Sequence, residues 1–553
     1  GYYYADKTLM IRDLLDLDSK VTLITRPRRF GKSLNMSMLR YFFEVGQDKK
    51  LFDGLDIADA GERYLQHRGR YPVVTLTFKE AKQLDFLSSM NRLASEISRE
   101  YQRHGDIFAD ARMAGYAEKF RRIASWEPTI MAGEEDKSMI AAGIATLFAE
   151  SITQLCSWLE TYYGTKTVLL IDEYDVPLES SFFGGYYGEM VAFIRTLFGS
   201  ALKGNSSLAF AVVTGCLRVS KESIFTGLNN LSVMTILDNW FSPYFGFTEP
   251  EVVEMLAYYE LSGTFPAAKQ WYDGYLFGKT QIYNPWSILN FVKTAVMDPD
   301  DLPSPYWAQT SSNDIVRSIV ERSADSGADK ADLETLMGSG VIEKQLWEDI
   351  AYNEIYDRAD NLWSFLYLTG YLRKTGIRQS EWGGKIISLT IPNREVRYIF
   401  AYQVSGWFEH RVQAFDAAKL EKAVFGKDPV AIQAELDRFL LHTISYHDYK
   451  EDFYHALLLG LLGHIRDCYL KSNREGTAGR GDIFLRTANV GGAAVIFEVK
   501  HTKELRELDA LTEEALRQID RKGYITEAKE LGYQNIIKYG VTFYEKSCRV
   551  KAG

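Results

Sequence analysis

Residues 21–33 read VTLITRPRRFGKS: five apolar or β-branched residues, then a basic loop that closes on Gly-Lys-Ser. A run that is apolar without alternation fits a strand covered on both faces. The segment after it, SLNMSMLRYFFEV at 33–45, carries its apolar residues at helical spacing. A strand that feeds a helix in this way presents the backbone N–H groups of Arg29, Phe30, Gly31, Lys32 and Ser33 to an anion at the helix N-terminus. In that frame Lys32 neutralises the β- and γ-phosphates of a nucleotide, and the Ser33 hydroxyl holds Mg2+. The full pattern GxxxxGK[ST] begins with glycine, and here that position is Arg26. The loop is therefore expected to be a variant of the phosphate-binding type.

Three more apolar runs, YPVVTLTF (71–78), TVLLIDEY (167–174) and LAFAVVTG (208–215), alternate with helix-patterned stretches such as EMVAFIRTLFGSAL (189–202). Repetition of strand and helix predicts an α/β domain, doubly wound on a parallel sheet. A fifth strand is expected at VMTILD (233–238). LLIDEYD (169–175) is an apolar strand ending in acids, and its spacing suits a strand neighbouring that of Lys32. There Asp172 would bind Mg2+ through water and Glu173 would polarise the attacking water. Thr214 ends a third strand, where a polar group can touch the γ-phosphate or that water. Arg218, just beyond it, is a candidate γ-phosphate sensor acting in cis or in trans.

The chain has 553 residues, enough for two to four domains, and 46% of them are hydrophobic. No stretch reaches the ~18 uninterrupted apolar residues of a membrane span, so no membrane partner is expected. The first residues, GYYYADKTLMIRD, show neither the basic start nor the apolar run of a signal peptide. Position 1 is Gly rather than Met, which suggests an artificial start to the numbering. Cys156, Cys216, Cys468 and Cys548 are scattered and form no CxxC pair, as expected of reduced thiols in a cytoplasmic protein. A net charge of −10 leaves nucleic-acid contact to local basic patches rather than to the whole surface.

From about 247 the pattern turns mostly helical, opening with FTEPEVVEMLAYYEL and dense in Tyr and Trp at WYDGYLFG (271–278) and YNPWSILNFV (283–292). The Asp-, Ser-, Ala- and Gly-rich segment SADSGADKAD (323–332) is expected to be a linker. After about 450 a helix over FYHALLLGLLGHIRDCYL (453–470) leads through a Gly-rich turn to IFLRT, a hairpin at NVGG, and AAVIFEVK. A charged helix, ELDALTEEALRQIDRKGY, follows.

In that C-terminal unit Asp482 starts one hairpin strand, and Glu498-Val499-Lys500 ends the other. Strand side chains repeat with period two, so Glu498 and Lys500 share a face, and the hairpin can bring Asp482 beside them. Two carboxylates and a lysine at one strand edge form a hard-oxygen site for Mg2+, or Mn2+, with an adjacent cation. Such a metal activates water and stabilises a pentavalent phosphate, while the lysine orients the nucleophile or offsets charge. Gln518, on the following helix, is placed to help position substrate or water.

These segments, together with TGCLRVSK (214–221), LYLTGYL (366–372), IPNREVR (391–397) and GRGDI…FEVK…EEALRQIDRKGY, resemble one bacterial family almost throughout. It is the AAA-ATPase-like family, whose members carry a C-terminal domain similar to PD-(D/E)XK nucleases. The resemblance implies a P-loop (ASCE, AAA-like) ATPase domain over 1–246 and a mostly helical lid, winged-helix and linker region over 247–445. It further implies a restriction-endonuclease-like α/β domain over 446–553. Lys32 and Ser33 match the family's P-loop, Asp172 and Glu173 its acidic pair, and Asp482, Glu498 and Lys500 its nuclease core. Arg26 departs from the usual glycine, and the family's own loop shares this feature. Gln518 and Tyr524 are six apart rather than the four of the QxxxY signature, which leaves Tyr524 without an assigned role.

The expectation is an ATP-binding protein, an ATPase that regulates a Mg2+-dependent nuclease acting on nucleic acid, DNA foremost, with oligomerisation left open. The alternative is a STAND-like nucleotide-dependent switch or scaffold whose nuclease-like domain is inactive. A motor moving along nucleic acid is a third reading, and the acidic balance argues mildly against it.

Overall fold

The structure is a computed structural model. It describes all residues except 1, 129–133, 219–223, 226, 227, 229, 299, 300, 302, 310–313, 324–326, 382, 414–416, 442–450, 466, 473–481, 522 and 523. The chain forms two compact units, one of Gly1–Ser311 with Glu343–Val396, the other of Ser312–Ile342 with Arg397–Gly553. The stretch that reads in sequence as a separate middle region is thus divided between them.

The first unit is built on five strands: β1 (Val21–Thr25), β2 (Val73–Thr77), β3 (Thr167–Asp172), β4 (Leu208–Gly215) and β5 (Leu231–Met234), in the order β2-β3-β4-β1-β5. All four pairings are parallel. Every residue of β1 and of β3 is buried, as the unbroken apolar runs require of strands with helices on both faces. Two details differ from the sequence reading. β3 does not neighbour β1, because β4 lies between them. The fifth strand ends at Met234, because Thr235 and Asp238 close a turn in which the Asp238 carboxylate accepts from the Thr235 N–H (2.7 Å) and hydroxyl (3.0 Å).

Region 247–396 is less helical than its sequence suggests. A short hairpin, β6 (Tyr275–Phe277) with β7 (Thr280–Ile282), lies inside it, as does a three-stranded sheet whose last two strands are antiparallel. That sheet comprises β8 (Ile342–Gln345), β9 (Arg373–Gln379) and β10 (Lys385–Thr390), in the order β8-β10-β9. Its strands are short and partly exposed, so they give weak periodic signals. The expected linker at 323–332 is largely helical, since a helix spans Gly327–Met337.

One helical run, Asp136–Tyr163, is long and apolar enough by composition to cross a bilayer. Its Ser151–Tyr163 half buries Ile152, Leu155, Trp158 and Leu159 in the first unit, and 39% of its most apolar window is buried in all.

The second unit carries a mixed sheet of β11 (Cys468–Ser472), β12 (Asp482–Thr487), β13 (Ala493–His501), β14 (Asn535–Tyr544) and β15 (Ser547–Ala552), ordered by number. β13 and β14 are parallel and the other pairs antiparallel. The helix expected over 453–470 runs Glu451–Leu462, and a strand, β11, begins at Cys468. Alternation divides the sheet faces. Ile483, Val495, Phe497, Val499 and Val541 join a core with Leu457, Leu458 and Leu461. Phe484, Ala494 and Ile496 pack against Ile519 and Ala528 on the other side. The helix Leu508–Arg521 lies so close to β14 that a Cβ on Gly540 would stand 2.4 Å from the Thr512 carbonyl.

Candidate nucleotide-binding and nuclease sites

The loop between β1 and the helix Lys32–Phe43 sorts its basic residues into different roles. Arg26 is fully buried: it donates to the carbonyls of Thr25 (2.8 Å), Met234 (3.0 Å) and Trp240 (3.2 Å), and its guanidinium lies over the rings of Phe245 and Phe277. Burial lowers its pKa to about 9. The residue that replaces the first glycine is therefore a staple tying the end of β1 to β5 and the turn beyond it. Phe30 is also core, with its ring 4.9 Å from that of Tyr275 and 5.2 Å from that of Phe277. It can serve an anion only through its backbone, not its side chain. Arg28 is ion-paired with Glu179.

Gly31 has φ 83°, and apart from its own chain neighbours nothing lies within 4 Å of where its Cβ would be. No side chain caps the helix that begins here, so its first N–H groups lack a capping side-chain acceptor. This is an open cradle for an anion.

Lys32 is buried beside it, donating to the carbonyls of Arg26 and Pro27 (both 3.1 Å), with its ammonium 3.4 Å from Glu173. Burial disfavours its charge, but the acids Glu173, Asp175 and Asp172 oppose this, and its pKa is held above the usual value. Cys216, 3.6 Å from the amine, has its own thiol pushed up to about 12 by burial, so it is neutral near pH 7.

Asp172 joins three elements. One oxygen accepts from the Ser33 hydroxyl (2.5 Å) and the other from the Thr214 hydroxyl. The strand inserted between β1 and β3 is what delivers Thr214. A carboxylate and two hydroxyls are hard oxygen donors of the kind Mg2+ takes. Glu173 follows with φ 55°, a left-handed backbone held at the strand end. Asp175, 1% exposed, accepts from the N–H groups of Cys216 (2.8 Å) and Leu217 (3.0 Å), and the Tyr352 hydroxyl lies 3.4 Å away. Burial, then Glu173, raise its pKa to about 6. Arg218 is paired with Asp349 at 3.1 Å, and the exposed Arg29 lies over the Trp286 ring. Sequence reasoning singled out neither Asp175 nor Cys216, although both stand in the quoted motifs. It gave Trp286 no role beyond packing.

In the second unit, register sets Asp482 opposite Glu498 across the hairpin. Glu498 is 1% exposed, and the Lys500 ammonium stands 3.7 Å from it on the same face. The structure thus brings together the two C-terminal residues that alternation paired. Gln518 is half-buried on the Leu508–Arg521 helix. The side chains of Asp482 and Tyr524 lie outside the described residues, as does the Gly-rich turn before β12. Thr542, buried on β14 in register with Lys500, was not anticipated. A buried carboxylate beside an ammonium, across from an aspartate, is a donor set suited to a divalent cation.

Comparison with known proteins agrees with this division. Residues 1–225 match the family described as a predicted AAA-ATPase, and residues 449–553 match the PD-(D/E)XK nuclease superfamily. A protein described as an uncharacterized protein in the vnfD 5′ region of Azotobacter chroococcum mcd 1 is 27% identical over 326 residues, 58% of this chain. The match takes in 54% of that relative, so the chain spans about half its length. The chain joins an AAA-ATPase-like domain to a PD-(D/E)XK nuclease-superfamily domain.

Proposed function

We propose that this protein binds and hydrolyses ATP, and that its nucleotide state governs a Mg2+-dependent nuclease in the C-terminal domain acting on nucleic acid, DNA in the first instance. The observation that carries the reading is the bridge Ser33–Asp172–Thr214 beside the Lys32–Glu173 pair. It sets a phosphate-neutralising amine, a metal-compatible carboxylate and a candidate base around one uncapped helix end. Mg2+, when bound there, offsets phosphate charge. Lys32 is the cation for the β- and γ-phosphates. As phosphate oxygens compete for its ammonium, Glu173 is released to accept a proton from water. Asp175 fixes the backbone after β4, and with it the approach of Thr214.

In the C-terminal domain, Glu498 and Asp482 would hold the divalent cation. Lys500 would orient water toward a phosphodiester, with Gln518 on the substrate side. The unbridged thiols, three of them buried and that of Cys468 half-buried, fit a reducing, cytoplasmic setting.

The test uses the purified full chain with Mg2+, ATP and both plasmid and linear DNA. The expected result is phosphate release lost in Lys32→Ala, and DNA cleavage that depends on ATP and is lost in Glu498→Ala. ATP turnover with no cleavage by either wild type or Glu498→Ala would instead support a nucleotide switch with an inactive nuclease-like domain.

A further inference from the structure

Arg26, Arg28 and Lys32 are each engaged by carbonyls or carboxylates, as described above. Arg29 is different. It is exposed, and its φ is 68°, the left-handed region where a Cβ is disfavoured and glycine is at ease. No carboxylate lies within ion-pair distance of it among the described residues. Its guanidinium carbon lies 4.6 Å from the centroid of the Trp286 ring, at the start of the helix Pro285–Met297. Trp286 is itself fixed, donating from its indole N–H to the Tyr306 carbonyl at 3.3 Å.

A guanidinium over an aromatic ring spends its flat face on the ring and keeps its edge N–H donors free. Those donors suit the oxygens of a phosphate in a two-point contact. A strained backbone persists where its surroundings hold it, and such strain gathers at ligand sites. Here the strain sits two residues before Gly31, on a loop cation that, among the described residues, neither a carbonyl nor a carboxylate engages.

We propose that Arg29 is a further phosphate-contacting residue for a nucleoside triphosphate, and that Trp286 is its positioning residue, holding the guanidinium ready beside the phosphate loop. The inference rests on the nucleotide-binding reading of that loop.

The test is equilibrium titration of the full chain with MgATP, MgADP and MgAMP at low and high salt, together with melting temperatures. Arg29→Gly is expected to melt higher, because backbone strain is relieved, yet to bind MgATP ~10-fold more weakly. Trp286→Leu is expected to weaken MgATP binding ~3- to 5-fold, with Trp286→Phe in between because it keeps an aromatic face. The losses should shrink for AMP and at high salt. A merely structural Arg29 would raise or lower the melting temperature without this phosphate-dependent pattern.

Wild-type affinity in Arg29→Gly would overturn the proposal. Weak binding in Arg29→Gly with wild-type affinity in Trp286→Leu would overturn the positioning role of Trp286. If wild type itself binds ATP no better than Lys32→Ala, the nucleotide reading fails and this inference with it.

Discussion

The ammonium of Lys32 stands 3.4 Å from the carboxylate of Glu173, beside the start of the helix Lys32–Phe43 where a phosphate is proposed to bind. The contact keeps a buried cation balanced while no phosphate is present, and ties the candidate base to it.

The two partners should therefore fail in different ways. Removing Lys32 strands Glu173, Asp172 and Asp175 around a space with no cation. Lys32→Ala should cost about 3–5 kcal/mol of stability, the usual result of breaking a buried pair, and should abolish ATP binding. Glu173→Gln keeps a polar group in place but accepts no proton. It should bind ATP near wild-type level and lose turnover by ~100-fold or more. Calorimetric titration alongside phosphate release separates the two outcomes, and equal losses of binding in both would contradict the assignment of Glu173 as base.

Glu395 predicts a pH dependence. It is buried, accepts from the Ser287 hydroxyl (2.9 and 2.8 Å) and from the Trp307 N–H (2.8 Å), and has no ion-pair partner among the described residues. Burial raises its pKa from 4.5 to about 7. The folded chain then keeps a proton that the unfolded chain releases, so this stabilisation is complete below pH ~4.5 and lost as pH rises through ~7. Glu395→Gln should flatten that slope and be more stable than wild type at pH 8, by roughly 3 kcal/mol at most. Urea unfolding at pH 5 and pH 8 measures it, and a wild-type slope retained by the variant would rule Glu395 out as its source.

The parts of this molecule that could be read in sequence are those whose cause is local. The buried run of β1, the Gly-Lys-Ser ending and the alternation that joins Glu498 to Lys500 each depend on residues within a few positions of one another. Arg26 and Phe30 could not be read so, because the groups that occupy them, the Met234 and Trp240 carbonyls and the Tyr275 and Phe277 rings, lie more than 200 positions away. Strand order escaped for a similar reason. Nothing in the local pattern of LAFAVVTG says that it lies between β1 and β3, yet that position is what sets Thr214 against Asp172. β11 was hidden because Cys468, Tyr469 and Leu470 continue the apolar character of the helix before them.

Gly540 tests the packing of the C-terminal domain separately from its chemistry. A methyl group there would meet the Thr512 carbonyl at 2.4 Å, Leu516 at 3.1 Å and Ala515 at 3.2 Å, so the helix that carries Gln518 would have to lift from the sheet. Gly540→Ala should cost about 1–3 kcal/mol, the range for overpacking a close contact. Thermal unfolding of the variant would show it, and an unchanged melting temperature would mean the helix yields easily.

Glu498 and Lys500 should be separable by metal binding. Glu498 is 1% exposed, and its carboxylate is the proposed holder of a divalent cation at this end of β13. Glu498→Ala should lose both Mn2+ binding and cleavage. In the proposed mechanism Lys500 acts on water or phosphate rather than on the cation, so Lys500→Ala should keep Mn2+ binding while cleavage falls ~100-fold or more. Lys500→Arg should not restore it, because a planar guanidinium cannot take the place of a compact ammonium 3.7 Å from Glu498. Electron paramagnetic resonance of a Mn2+ titration, run beside a DNA-cleavage assay on the same preparations, tests all three. Retained Mn2+ affinity in Glu498→Ala would remove Glu498 from the metal site, while lost affinity in Lys500→Ala would show that the amine organises the carboxylates themselves.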